Sequence, residues 1–469
     1  MNRNSNFVKN TLILSIGTFL PKVAAFFTLP VLTGFLTKEE YGTYDLITIL
    51  VSLLLPAVTL QIRSAAFRFL LEHKTDEEYK KRIITNIFVF TVPISIVALI
   101  ILYFVLPDTS GIIRLWMCIY YFSDIIFHTT LQIARGIGNN LNYSISAIIN
   151  ATGKMIFVII LVRFFKMGLT GAVIALCVST TVAFIYIALK IRLHRYIDMK
   201  LIEGACIKEM IKYSWPIVPN ELSLWIMSMS DRMIVTKIMG VATNAVLAAS
   251  TKIPSLINLA QSAMVLAWQE NASITAEDED SSKYYSDMFK VMTNLQMGVY
   301  SIVVAATPIL FKILIKGEYS EAYYQIPILC LSIYFSGLAT FLGGIYVGKK
   351  ATKSIAYTTV SAAVINIVVD LLMINHVGLY AASISTLVSY IALFTFRIFD
   401  VQRLVKVKCE ICLLAMQLVV MLIEMILCYQ QTLICNLING IIAIMALIIF
   451  NKPLLIGCIK ALKKVLRVN

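Results

Sequence analysis

The chain is 469 residues long, 59% hydrophobic and 14% charged, with a mean hydropathy of +0.83 and a formal net charge of +14. Soluble domains carry charge on roughly a quarter of their residues, so a water-soluble globular fold is excluded. Apolar runs long enough to cross a ~30 Å hydrocarbon core recur from end to end instead.

The N-terminal "MNRNSNFVKN" leads into an apolar stretch far longer than a signal core, without a small-residue cleavage site, so the first span is expected to be retained. Fourteen spans are predicted, at 10–35, 43–69, 83–106, 111–133, 143–163, 168–189, 213–236, 243–269, 288–311, 325–347, 355–375, 378–398, 409–428 and 432–451. In lipid the backbone must satisfy its own hydrogen bonds, so these are helices. Lys and Arg gather in alternate connections: "HKTDEEYKKR" after the second span, "KIRLHRYIDMK" after the sixth, "KK" at 349–350 and the tail "KALKKVLR". By the positive-inside rule those segments and both termini are cytoplasmic. The net charge then follows from topology and contact with anionic lipid, and nucleic-acid binding is not expected.

A faint repeat organises the chain. "GIGNNLNYSISAIINATGKMIFVIILVRFFKMGLTGAVIALCVST" (136–180) and "YVGKKATKSIAYTTVSAAVINIVVDLLMINHVGLYAASISTLVSY" (346–390) each end a loop, span, turn at a glycine and span again. The shift between them pairs Gly138 with Gly348 and Gly168 with Gly378. The expected fold class is all-α, a polytopic membrane protein with about fourteen transmembrane helices: two six-helix halves around a central cavity plus two C-terminal helices. Parallel repeats of this kind are a transporter feature, with the substrate path between the halves. The boundaries read as an N-terminal half over 1–199, a cytoplasmic amphipathic linker over 200–212, a C-terminal half over 213–400, and two further spans with a basic tail over 401–469.

Cysteine chemistry offers little. Cys118, Cys177 and Cys330 lie within spans as small apolar residues. Cys409 and Cys412 form a lone C-x-x-C without the second pair that zinc requires. Cys428 and Cys435 flank a predicted outside turn, where pairing is open.

Charge inside the spans is more informative, because an ionisable group at mid-membrane costs about 2.5–3.5 kcal/mol on insertion scales. Residues three, four, seven or eleven apart share a helix face. Thr11, Ser15, Thr18 and Lys22 form one stripe in span one. Asp45, Ser52, Thr59 and Arg63 form another in span two, where Pro56 is expected to kink the helix. Asp124, His128 and Arg135 align in span four. Glu221, Trp225, Ser228 and Arg232 align in span seven, with Asp231 about 100° away and aimed at a neighbouring helix. Lys252, Ser255 and Ser262 align in span eight. Ion pairs that only hold helices together explain any one of these; the whole set points to a wet cavity. Lys22, Arg63, Arg68, Lys154, Arg232, Lys252 and Lys290 are basic, with Arg68 and Lys290 near cytoplasmic ends where they can snorkel. The central acids Asp124, Glu221, Asp231 and Asp370 neutralise part of that charge. A guanidinium fork and mobile ammonium groups suit an anionic cargo such as a diphosphate.

Several short stretches, in order along the chain, carry a resemblance: "LTKEEYGTYDL" (36–46), "AAFRFLLE" (65–72), "ARGIGNNLNYSISAIIN" (134–150), "SDRMIVTKIMG" (230–240), "STKIPSL" (250–256) and "GLYAASISTLVSY" (378–390). With them the chain resembles the Wzx-type polysaccharide flippases of the multidrug/oligosaccharidyl-lipid/polysaccharide exporter superfamily, over roughly residues 5–400. One departure is "ATNAVLAAS" (242–250), where that family tends to repeat a Tyr-Gly-x-Tyr-like turn. The resemblance implies flipping of undecaprenyl-diphosphate-linked oligosaccharide from the cytoplasmic to the outer leaflet of a bacterial inner membrane, for O-antigen or capsule. It implies cargo binding by basic residues of the first, second, seventh and eighth spans, here Lys22, Arg63, Arg68, Arg232 and Lys252; Lys154 joins them from the charge reading. The acids would hold bases in place or couple transport to an ion. No cofactor is expected beyond that coupling ion, Na⁺ or H⁺. The expected partners are the lipid-linked oligosaccharide, membrane lipids and the polysaccharide polymerase machinery.

Two other classes compete. A multidrug cation antiporter of the same superfamily would need acids facing its cargo, including one deep in span one, where this chain offers Lys22. A polysaccharide polymerase or membrane glycosyltransferase would need catalytic side chains in a long outside loop; the longest here is 312–324, without paired carboxylates or metal-ligand spacing.

Overall fold

The computed structural model describes residues 3–72, 76–105, 111–275, 278–349 and 351–466. Every regular element among them is helical, and the chain divides into two compact units, 1–225 and 226–469.

The first unit holds α1 (Arg3–Phe35), α2 (Lys38–Thr59), α3 (Ile62–Glu72), α4 (Glu77–Val105), α5 (Gly111–Gly136), α6 (Asn140–Val158), α7 (Gly168–Lys190), α8 (Gly204–Ser214) and the start of α9 (Val218–Met239). Span two is therefore two helices. The break falls at Leu60 and Gln61, both left-handed (φ 48° and 55°), whereas Pro56 sits within α2. Such backbone is costly for non-glycine residues, and Gln61 offsets part of the cost with its side chain. Its Oε1 accepts from Arg63 Nε at 3.0 Å and from Ser64 Oγ at 3.4 Å.

Two apolar cores hold this unit. One joins Ile62, Leu70, Ile84, Ile87, Phe127, Ile187 and Met210 of α3, α4, α5, α7 and α8. The other joins Ile47, Leu55, Tyr121, Ile125 and Val173 of α2, α5 and α7. The amphipathic linker helix is α8, which turns Cys206 and Met210 inward and leaves Lys208 and Lys212 exposed.

The second unit holds the rest of α9, α10 (Val241–Ser250), α11 (Ser255–Ile274), α12 (Ser281–Leu314), α13 (Ser320–Gly348), α14 (Thr352–Val377), α15 (Tyr380–Val401), α16 (Ile411–Gln430) and α17 (Leu433–Leu466). Span eight is also divided, at the turn 251–254 between α10 and α11. Helix α13 is central, packing on α10, α11, α12, α14, α15 and α16, while α17 lies along α12 and α16. Trp268 stacks on Phe341 with centroids 4.0 Å apart and donates Nε1–H to the Phe341 carbonyl at 2.7 Å.

The glycine hairpins of the repeat are present. Gly168 and Gly378 both adopt positive φ (53° and 58°) between consecutive helices, a conformation disfavoured once a Cβ is present. Gly348 is helical, so its pairing with Gly138 (φ 85°) is one of position only.

Ten helices among the described residues are long and apolar enough to cross a membrane by length and composition. Predicted spans one, four, seven and eight fall outside that set, at α1, α5, α9 and α10–α11.

Candidate functional site

In the first unit, charged side chains converge on α5. Asp124 is 6% exposed, and its Oδ2 lies 3.6 Å from His128 Nε2, one turn along the helix. Helices α3 and α6 pack against α5, bringing Arg63 and Lys154 within electrostatic range of Asp124. Lys154 Nζ also sits 5.8 Å from the Tyr120 ring centroid, a cation–π contact one turn before Asp124. Arg63 senses a second acid, Glu221, at the start of α9. Nearby, Trp225 donates Nε1–H to Ser52 Oγ at 3.1 Å.

Not every sequence candidate joins this group. Arg68 is exposed on α3. Arg135 leaves the α5 stripe to stack on Phe67, 4.6 Å from the ring centroid. The break at Leu60–Gln61 separates Arg63 from the Asp45 face, and Asp45 is buried within α2. Lys22 lies on α1, and its side chain, like those of Thr11, Ser15 and Thr18, falls outside the described residues.

In the second unit the polar centre is acidic. Asp231 turns away from Arg232 toward α15, where Thr386 Oγ1 donates to its Oδ2 at 2.6 Å and Ser385 Oγ to its Oδ1 at 3.4 Å. The expectation that Asp231 faces another helix holds. Among the described residues its partners are hydroxyls and an amide rather than a base, and a second acid, Asp370 of α14, lies within electrostatic range. Asp370 is fully buried, and neither carboxyl oxygen has a hydrogen-bond partner among the described residues. Asn366, one turn before it, accepts from Ser230 Oγ at 3.0 Å.

Arg232 differs from expectation. The stripe reading puts it on a wet face, but it is 7% exposed and donates Nη2–H to Thr251 Oγ1 at 2.8 Å. The turn between α10 and α11 brings Thr251 within its reach. Lys252 is half-buried in the same turn, and Ser255 and Ser262 use their hydroxyls on Lys252 O and Leu259 O within their own segment, so that stripe dissolves. Lys290 pairs with Glu410 at 2.7 Å, both about half exposed. Cys428 and Cys435 are free thiols.

One residue the sequence reading overlooks is Arg397, near the end of α15. It is 6% exposed and, among the described residues, donates to neutral acceptors: Nη1 to Ala339 O at 2.7 Å, Nη2 to Thr359 Oγ1 at 3.1 Å and Nε to Thr358 Oγ1 at 3.2 Å. A Cβ at Gly343 would approach Nη1 to 2.9 Å, so the glycine makes room for it. Asn366 and Asp370, four residues apart on α14, share one helix face, a spacing visible in the sequence.

Helices of membrane-crossing length and apolarity in both units define a multi-pass membrane protein. A structure titled "Lipid II flippase MurJ, inward closed conformation" has this fold, with TM-score 0.70 and 15% identity over 96% of this chain and 100% of that one. An inward-facing multidrug resistance MATE family transporter of the MOP superfamily follows at 0.68 and 13%, covering 84% of this chain and 98% of that one. A MOP superfamily transporter from Pyrococcus furiosus, titled for the reverse polarity of its binding pocket, gives 0.58 and 14% over 85% and 95%. The family of polysaccharide biosynthesis proteins matches residues 7–268, more than half of the chain, and the chain belongs to that family. Among curated proteins, none matches it.

Proposed function

We propose that this protein flips undecaprenyl-diphosphate-linked oligosaccharide from the cytoplasmic to the outer leaflet of a bacterial inner membrane by alternating access, supplying O-antigen or capsule assembly. The observation that carries the reading is the cluster of Arg63, Lys154 and His128 around one buried acid in the first unit. Bases drawn into an apolar bundle are expensive unless an anion or water meets them. A guanidinium beside an ammonium matches a diphosphate in geometry and in charge. Family membership supports a polysaccharide precursor as cargo, and the fold shared with a lipid II flippase supports a lipid-linked one.

Asp231 and Asp370 serve the coupling ion in this reading. Two buried carboxyls cannot both ionise cheaply without a cation or a proton, and the adjoining Ser385, Thr386 and Asn366 supply the oxygen atoms a hard cation prefers. The shared fold with MATE transporters gives a multidrug antiporter a place as the second reading. Against it, the first unit gathers bases around its central acid, the wrong polarity for a lipophilic cation.

The test is a deletion strain. Lipid-linked oligosaccharide should accumulate on the inner leaflet, with restoration by the wild-type gene and none by Arg63→Ala/Lys154→Ala present at normal membrane levels. Unchanged export by that double variant would refute the anionic-cargo reading.

A further inference from the structure

Arg63 and Lys154 bring two positive charges to the first unit, and Asp124 and Glu221 bring two negative ones. Cargo-free, the cluster is balanced by its own carboxylates. Asp124 is the central one: it contacts His128 at 3.6 Å, is 6% exposed, and lies within range of both bases. Glu221 faces Arg63 from α9 and is half-buried. A diphosphate esterified at both ends carries one negative charge on each phosphate, so it presents the charge that the two carboxylates already supply.

We infer that Asp124, seconded by Glu221, is a built-in counter-ion that stands in for the cargo diphosphate and displaces it for release. This rests on the flippase reading above and adds to it a role for the acids. A site made only of bases would hold a diphosphate too tightly to let go. Carboxylates that compete for the same guanidinium and ammonium make binding and departure comparable in free energy. Charge alone makes the effect directional: a nearby carboxylate disfavours a second anion and favours the cationic form of its neighbours. Removing its charge without changing its shape should therefore tighten diphosphate binding and slow turnover. A purely structural acid would give the opposite, because its loss would leave the bases badly held and weaken binding.

The probe is a farnesyl diphosphate esterified at its other end by a single sugar, which carries one negative charge on each phosphate, with affinity measured on purified full-length protein in detergent and export measured in cells. Asp124→Asn should bind it on the order of tenfold tighter than wild type, while export falls several-fold at normal protein levels. Equal or weaker binding by a folded Asp124→Asn protein overturns the inference. If that variant does not fold, Glu221→Gln, at the less buried position, carries the test with the same expected and contrary results. Arg63→Ala and Lys154→Ala separate the two levels of the argument. If they lose binding while Asp124→Asn matches wild type, only the counter-ion role fails. If they bind as wild type does, the flippase reading itself fails.

Discussion

Asp231 and Arg232 are adjacent in sequence and divergent in environment, and their partners assign them different roles. From sequence, Asp231 should neutralise a base on the next helix and Arg232 should face water. In the structure Asp231 meets the Ser385 and Thr386 hydroxyls, which an amide can satisfy as well, so Asp231→Asn should leave thermal stability in detergent nearly unchanged while transport fails. Arg232 is buried on Thr251, so Arg232→Ala removes a charge-assisted hydrogen bond from an enclosed place and should cost about 1.5–3 kcal/mol. Melting curves of the two variants beside an export assay check this split; a stable Arg232→Ala and an unfolded Asp231→Asn would contradict it. Arg397 makes a second case. Its acceptors Thr358 and Thr359 also donate to Ser354 O and Ile355 O in their own helix, so they do not depend on the guanidinium. Replacing a buried charge by an apolar group of similar volume is often neutral. Arg397→Met should therefore melt near wild type, whereas Arg397→Ala, which leaves a cavity, should lose about 2–5 kcal/mol.

At the level of elements, the ends of helices show why the sequence was legible in some places and not others. Gly168 and Gly378 announced their hairpins, because a glycine between two apolar runs has few other uses, and both adopt positive φ. The "TKEE" at 37–40 is likewise readable as a capping box: Thr37 accepts from Glu40 N at 3.1 Å, and Glu40 Oε2 from Thr37 N at 3.0 Å. Its second use was hidden, since Glu40 Oε1 also accepts from Leu169 N at 3.1 Å, starting a helix 129 residues away. Glu40→Ala therefore removes caps from α2 and α7 together and should cost about 1–3 kcal/mol by thermal melting. Gly168→Ala should also destabilise, through backbone strain and contact with that carboxylate. The breaks at 60–61 and 251–254 were illegible, because nothing local forces Leu60 or Gln61 into left-handed backbone. Those breaks dissolved two of the predicted stripes, and they set where Arg63 and Thr251 sit.

For the whole molecule, the all-helical polytopic class was plain from composition, since only a fold whose outer face meets lipid tolerates this much exposed apolar surface. The partners of each buried charge were not, because packing of α3, α5 and α6, or of α9, α14 and α15, joins residues far apart in the chain. Orientation can be tested directly. In a cysteine-free background, cysteines at the exposed helix-end positions Asn375 and Gln430 should react with an impermeant thiol reagent from outside, and one at Asn140 should not. Among the native thiols, burial pushes Cys206 up and should keep it unreactive in detergent, whereas Cys412 is exposed and should label once the membrane is opened. The central claim is that this chain moves a diphosphate-linked lipid using Arg63 and Lys154 of its first unit. It is tested most directly by transbilayer movement of a prenyl-diphosphate-linked oligosaccharide in proteoliposomes. Wild-type protein should move the lipid well above the rate of empty liposomes, and Arg63→Ala/Lys154→Ala should fall back to that background. Movement by the double variant at the wild-type rate, or no movement by the wild type in either orientation of an imposed Na⁺ or H⁺ gradient, would contradict the account.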